Sequence, residues 1–273
     1  MDKKEIKFVF FGTSEFSVYV LEELEKEGFL PSLLITQSDK PKGRNLELTS
    51  PLTKKWAEEK GIKVLQPKKL DEKFIEIMKE ESADIFVVAS YGKIIPEDIL
   101  NIPKYGSLNV HPSLLPDLRG PSPLQTMILE DKKETGVTIM LMDKEMDHGP
   151  ILNQEFTLID EWPSLSKLEE KLGRIGGKLL ALTIPEWVQG NINEQEQSHE
   201  KATFTKILKK EDAFINLEDD DYLNYRKIMA YERLKPYFVK DGKRVVINKV
   251  KFEDGKLKIL RVTPEGKKEQ DYK

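Results

Sequence analysis

Short, nearly continuous apolar runs alternate along this chain with stretches whose apolar positions recur every three or four residues. The first run, Ile6-Lys7-Phe8-Val9-Phe10-Phe11, ends at Gly12. Its density predicts a strand covered on both faces, as parallel strands are. Thr13 or Ser14 then caps a helix with Phe16, Val20, Leu21 and Leu24 on one side, stopping near Gly28, where glycine accepts the left-handed turn of a helix end. The alternation repeats: Leu33 to Thr36 reads as a strand, Pro51 to Lys60 as a helix, Ile62 to Leu65 as a strand, Phe74 to Glu80 as a helix and Ile85 to Ala89 as a buried strand. Strands separated by single helices predict an α/β fold, a Rossmann-like, mostly parallel sheet with helices on both faces. The turn at Gly12-Thr13-Ser14 lacks a G-x-G-x-x-G fingerprint, so a dinucleotide is not expected there.

Further on, Ser107-Leu108-Asn109-Val110-His111 has the period of two that belongs to a strand, which puts Asn109 and His111 on one face. The prolines of His111-Pro112-Ser113-Leu114-Leu115-Pro116 stop that strand, leaving the polar pair at its end. A helix follows from Gly120-Pro121-Ser122 to Glu130, then strands at Gly136 to Met142 and Ile151 to Phe156, and a long helix from Ser164 to Val188. Composition turns polar from Gly190 to Ala202, as a linker does. Beyond it, Tyr222 to Tyr231 is helical in pattern, while Val245 to Lys249 and Leu257 to Val262 alternate as strands. The expected organisation is a domain over 1–189, a linker over 190–202 and a smaller unit over 203–273.

Composition narrows the chemistry. The 273 residues include no Cys and only 3 His, which excludes disulfides, thiolate zinc sites and thiol catalysis, fits a reducing cytoplasm, and leaves little for an imidazole metal site. No metal is expected. Apolar runs are too short to span a bilayer, so no membrane association is expected. The net charge of −4 disfavours a polyanion partner unless a local basic patch supplies the contacts. Candidates are Lys40, Lys42 and Arg44 in one loop, and Lys201, Lys206, Lys209 and Lys210.

Asp147-His148-Gly149 lies in the turn leaving the Gly136–Met142 strand, so Asp147 reaches His111 if that strand neighbours Ser107–His111. A histidine oriented by a carboxylate moves protons near neutral pH, and an amide beside it can hydrogen-bond a developing oxyanion. That is equipment for acyl transfer. Neither Ser107 nor Ser113 sits in a G-x-S-x-G elbow and there is no Cys, so direct passage from donor to acceptor is expected.

Asn109-Val110-His111-Pro112-Ser113-Leu114-Leu115-Pro116, Arg119-Gly120, Glu134-Thr135-Gly136-Val137-Thr138 and Met146-Asp147-His148-Gly149 together resemble the folate-dependent formyltransferases. The closest likeness is to the branch acting on methionyl-initiator tRNA. The resemblance implies that Asn109, His111 and Asp147 match the family's catalytic Asn, His and Asp, and that 10-formyltetrahydrofolate is the donor. It also implies that Tyr91, Gly92, Lys93, Ile94 and Ile95 hold the pterin, largely by backbone, with Ser113, Leu114, Leu115, Pro116 and Asp143 completing the donor site. His148 departs from the family's usual Thr. Gln37 through Ser50 contains Asp39-Lys40-Pro41-Lys42-Gly43-Arg44, similar to a family loop that enters the acceptor end of tRNA; Lys40, Lys42 and Arg44 are its expected phosphate contacts.

The same likeness gives 203–273 an OB-like, β-rich character, shortened because few residues separate Val250 from Leu257. It implies a cytoplasmic, monomeric enzyme of translation initiation. Two other readings stay open: a formyltransferase whose acceptor is a nucleotide-linked amino sugar, encouraged by the shortened C-terminal unit and opposed by the basic loop, and a folate- or tRNA-binding module without turnover.

Overall fold

A computed structural model of the protein describes residues 6–42 and 47–272. In chain order the elements are β1 (Phe8–Gly12), α1 (Glu15–Lys26), β2 (Leu33–Ile35), β3 (Lys40–Lys42), β4 (Glu47–Thr49), α2 (Leu52–Glu59), β5 (Lys63–Leu65), α3 (Glu72–Glu81), β6 (Ile85–Ala89), α4 (Glu97–Leu100) and β7 (Ser107–His111). Then come α5 (Pro123–Leu129), β8 (Glu134–Leu141), β9 (Ile151–Leu158), α6 (Leu165–Val188), α7 (Asp221–Ala230), β10 (Tyr237–Lys240), β11 (Lys243–Glu253), β12 (Lys256–Pro264) and β13 (Gln270–Asp271).

Seven strands form one sheet in the order β5-β2-β1-β6-β7-β8-β9. The pairs β1/β2, β1/β6, β2/β5 and β6/β7 are parallel, whereas β7/β8 is antiparallel. The chain builds outward from β1 through β2 to β5, then resumes on the other side of β1 with β6 and β7. That reversal leaves a crevice beyond the carboxyl ends of β1 and β6, where open α/β sheets bind ligands.

The apolar runs become strands because both faces are covered: every residue of β1 and β6 is buried. Val9, Phe11, Leu33, Ile35, Phe74, Met78, Phe86 and Tyr91 share one core cluster. Burial of each such side chain contributes about 1.5–3 kcal/mol. The Phe11 ring meets Phe74 edge-on at 6.4 Å and Tyr91 at 5.5 Å between centroids. α3 begins earlier than the apolar pattern predicts because the Asp71 side chain accepts from the Phe74 N–H and caps it. In α6, Gly173, Gly176 and Gly177 let the helix backbone approach α1 and the sheet. A Cβ on Gly176 would lie 2.6 Å from Val110 Cγ1, and one on Gly177 2.7 Å from the Val20 carbonyl oxygen.

The loop from Gln37 to Ser50 contains a hairpin that its Gly and Pro content did not suggest: β3 and β4 pair antiparallel, Lys40 opposite Thr49 and Lys42 opposite Glu47. Arg44 lies outside the described residues.

Two compact units are formed. One takes in 1–119, 136–156 and 169–203; the other takes in 120–135, 157–168 and 204–273. The second has its own sheet, β10-β11-β12-β13, antiparallel throughout. Ile215, Ile228, Phe238, Val245, Ile247 and Val262 form its core. The stretch between Val250 and Leu257 is short because β11 turns straight into β12 through Asp254-Gly255, both at positive φ (52° and 72°). This is the Asp-Gly pair that a two-residue hairpin requires. The same unit draws in chain from before the polar stretch: Asp131 Oδ1 accepts from Trp162 Nε1 (2.6 Å) and Tyr222 Oη (2.8 Å), and Arg226 donates to the Leu129 carbonyl (2.8 Å).

Candidate active site

Alternation along β7 buries Leu108 and Val110 and turns Asn109 and His111 to the other face. The antiparallel register sets Asn109 opposite Met140 and His111 opposite Thr138, so the turn leaving β8 returns beside them. Asp147 lies in that turn at φ 52°. Gly149 allows its tight return: a Cβ there would sit 2.1 Å from the Leu141 carbonyl oxygen.

The three side chains converge on one atom. Asn109 Nδ2 donates to Asp147 Oδ1 at 3.2 Å, and His111 Nδ1 lies 3.5 Å from the same oxygen. Asp147 retains a little exposure while His111 is almost fully buried (side chains 13% and 5%). The other imidazole nitrogen is committed: Nε2 donates to the Leu118 carbonyl at 3.0 Å. A neutral His111 therefore presents its lone pair at Nδ1, and a proton arriving there is held against Asp147. Leu118, at φ 61°, is fixed in turn by its N–H to Thr203 Oγ1 (2.8 Å), whose hydroxyl donates to Asp117 (2.6 Å).

Ser113, Leu115 and Pro116 belong to a tightly bonded loop. Ser113 Oγ donates to the Asp117 carbonyl (2.5 Å), Thr138 Oγ1 donates to the Ser113 carbonyl (2.7 Å), and the Leu115 N–H donates to Thr138 Oγ1 (3.1 Å). Ser113 and Leu115 are buried, Leu115 packing on Met140 and Ile151, and the Leu115–Pro116 peptide is cis. Leu114 and Pro116 are half-buried.

Beyond β6, the Tyr91 carbonyl accepts from Thr13 Oγ1 (3.0 Å) and Gln37 Nε2 (2.9 Å), and Lys93 Nζ donates to the Pro67 carbonyl (2.7 Å). Tyr91 is buried, its hydroxyl has no hydrogen-bond partner among the described residues, and burial pushes its pKa up to about 12. Gly92 turns at φ 75°, Ile94 projects with 83% exposure, and Ile95 is buried. The loop thus presents backbone and one apolar side chain at the crevice. Asp143 accepts once at each carboxylate oxygen, Oδ1 from the Glu145 N–H (2.8 Å) and Oδ2 from His148 Nδ1 (2.7 Å), which orients the carboxylate and leaves it acceptor capacity.

On the hairpin, Lys40 is exposed and donates to Gln37 Oε1 (2.6 Å). Asp39 beside it accepts from Gln66 and Lys54, which hold its carboxyl below the usual range.

Leu118, Gln197 and His199 were not among the candidate site residues, and Arg119 stood only in a family-like motif with no role attached. The Leu118 carbonyl orients His111 by backbone alone. Gln197, in the polar stretch, bonds the carbonyls of Asp147 (3.0 Å) and Gly149 (2.7 Å). Arg119 reaches Gln197 (2.6 Å) and His199 Nδ1 (2.9 Å). His199 stacks on His148, ring centroids 4.1 Å apart and planes within 5°. The chain's 3 histidines all lie in or beside this turn; their scarcity and the Arg119-Gly120 motif were the available signals. Among the described residues no group of three or more His, Cys, Asp and Glu side chains is placed to hold a metal ion, and no helix is long and apolar enough to cross a membrane.

An amide, an imidazole and a carboxylate thus meet at the carboxyl end of β7, an inner strand of the seven-stranded sheet, and are the groups that direct acyl transfer would need. Residues 5–184 match the formyl transferase family, and the chain belongs to that family. A methionyl-tRNA formyltransferase of Geobacillus sp. (strain WCH70) is 46% identical over 207 residues, 76% of this chain and 65% of the relative. The match thus spans just under two thirds of that relative's length. A methionyl-tRNA formyltransferase of Thermodesulfovibrio yellowstonii is 38% identical across 95% of this chain and 92% of its own length. Among solved structures, an N-formyltransferase of Helicobacter canadensis superimposes with a TM-score of 0.66 at 19% identity, covering 91% of this chain and 89% of that one. Likeness at that identity speaks to the fold alone.

Proposed function

We propose that the chain transfers a formyl group from 10-formyltetrahydrofolate to the amino group of methionyl-initiator tRNA, giving formylmethionyl-tRNA and tetrahydrofolate. The observation that carries this reading is the convergence of Asn109 and His111 on one oxygen of Asp147. The donor lies along Tyr91 to Ile95, with Leu114, Pro116 and Asp143 toward its formyl end and the buried Ser113 and Leu115 shaping the wall. Asn109 polarises the formyl carbonyl as the amine nitrogen attacks, and His111, once it has taken the amine's proton at Nδ1, joins Asn109 in stabilising the tetrahedral oxyanion. The proton lost by the amine passes through the His111–Asp147 pair. On collapse, the bond from the formyl carbon to the folate nitrogen breaks and that nitrogen takes up a proton, so the enzyme ends as it began.

The acceptor side falls to Lys40, Lys42 and Arg44, with residues 203–273 as a second contact surface joined by 190–202. Charge distribution supports a polyanion here despite the net −4: residues 203–273 hold 18 Lys and Arg against 13 Asp and Glu, leaving the deficit to the rest of the chain. Lys240, Lys243, Lys249, Lys251, Lys256 and Lys258 are exposed on the β10–β12 strands, where phosphate contacts can form.

One incubation separates the acceptors. With 10-formyltetrahydrofolate present, methionyl-initiator tRNA is expected to gain the formyl group while a panel of amino-sugar nucleotides does not. Formylation of a sugar nucleotide instead would overturn the acceptor and keep the chemistry.

A further inference from the structure

We infer that Gln197 is a positioning residue that sets the separation of His111 and Asp147, an inference that rests on reading those two as the transfer site. Asp147 occupies the left-handed region at φ 52°, which a residue bearing a Cβ adopts less readily than glycine, and contacts from outside the turn help to hold it there. Gln197 does so from the polar stretch. Its Nε2 donates to the carbonyls of Asp147 (3.0 Å) and Gly149 (2.7 Å), the two residues flanking His148. Its Oε1 accepts from Nε (3.1 Å) and Nη2 (2.6 Å) of Arg119.

Those two arginine bonds fix which way the amide points. A guanidinium only donates, so Oε1 must face Arg119 and the NH2 must face the turn. Gln197 and Arg119 are each at least 95% buried, with 5% and 3% exposure, where an unsatisfied amide would be costly. The backbone supports the placement: Gln195 and Ile151 exchange N–H to carbonyl bonds of 2.8 and 2.9 Å, which ties the segment to the strand leaving the turn.

Arg119 follows Leu118, whose carbonyl receives His111 Nε2–H. One side chain therefore grips both halves of the pair, Asp147 through its own carbonyl and His111 through the Leu118–Arg119 backbone. His199 extends the clasp, its Nδ1 accepting from Arg119 Nη2 while its ring covers His148. Displacements of an ångström at such a pair weigh on the rate rather than on substrate affinity.

Gln197→Glu is the discriminating change. A carboxylate keeps both bonds to Arg119, strengthened by charge, but turns an acceptor toward the carbonyls of Asp147 and Gly149. The expected result is a fall in kcat of at least about tenfold, with KM for both substrates within about twofold and the melting temperature preserved. A second readout needs no turnover: only 3 histidines are present, so the His111 ring resonances are readily followed by NMR. They are expected to move in Gln197→Glu in the direction that Asp147→Asn moves them. Gln197→Met, equal in size and unable to hydrogen-bond the turn, should do the same if the glutamate variant folds poorly. Wild-type kcat with unmoved His111 resonances in either folded variant would overturn the assignment and leave Gln197 as an anchor for Arg119. Should the wild type formylate none of the acceptors, the proposed activity fails while the NMR comparison still decides the positioning role.

Discussion

Asp147 accepts from Asn109 and lies against His111 Nδ1 with the same oxygen, so its charge serves the amide's orientation and the imidazole's proton together. Asp147→Asn preserves shape and replaces that charge with a neutral amide. The expected outcome is a loss of a hundredfold or more in kcat, a barrier increase of about 2.7 kcal/mol, with an unchanged circular dichroism spectrum. Turnover near wild type would show that another group carries the proton. Parity along Ser107–His111 made Asn109 and His111 legible in the sequence, since alternation in a strand needs no tertiary information. Their pairing with Asp147 depended on β7 and β8 being neighbours, a fact of topology. Gln197 was not legible: in a run of Asn, Gln and Glu nothing distinguishes the one amide that becomes buried, because its burial is decided by Arg119, far away in sequence.

At the scale of elements, the strands buried on both faces and the amphipathic α1 were readable from periodicity, and short elements were not. The β3–β4 hairpin is three residues a side, too brief for a period of two to stand out against a Gly- and Pro-bearing loop. Nor does periodicity say what α6 touches. Gly177 faces α1, where a Cβ would come within 2.7 Å of both the Val20 carbonyl oxygen and Glu23 Cβ, and a backbone oxygen cannot swing aside. Gly177→Ala should therefore destabilise by about 1–3 kcal/mol despite alanine's better helix propensity, seen as a lower urea midpoint at constant slope. A gain in stability would mean that α1 and α6 separate freely. Asp131 makes a second test. Burial works to raise its pKa, but hydrogen bonds from Trp162 and Tyr222, with the Arg226 charge, hold it below the usual value. A folded-state pKa below the unfolded one adds stability above the unfolded value, and that contribution is lost as pH falls through the folded value. The stability gap between wild type and Asp131→Asn should thus be widest near neutrality and shrink toward about pH 3; a gap independent of pH would remove charge from the explanation.

Over the whole molecule, an acidic chain proposed to hold a polyanion must keep its positive charge local, and 18 of its 44 Lys and Arg fall in the last 71 residues. Attraction to phosphates reaches only about 8–10 Å at ordinary salt, so patches rather than net charge govern the contact. The Lys40, Lys42 and Arg44 loop is the patch expected to meet the acceptor, and it supplies a test that separates acceptor from donor. Replacing all three by Ala removes up to three phosphate contacts. Each contact contributes about 0.7–0.9 to the slope of log affinity against log salt concentration. The plot of kcat/KM for formylmethionyl-tRNA formation against salt should then flatten by about 2–3 in slope, while tetrahydrofolate binding, measured by fluorescence, stays unchanged because Tyr91 to Ile95 are intact. Equal slopes in the two proteins would leave the loop as solvated surface and shift the weight of acceptor recognition to the exposed lysines of β10–β12. Weakened folate binding in the triple variant would mean instead that the hairpin shapes the donor crevice, through the contact that Lys40 makes with Gln37 and that Gln37 makes with the Tyr91 carbonyl.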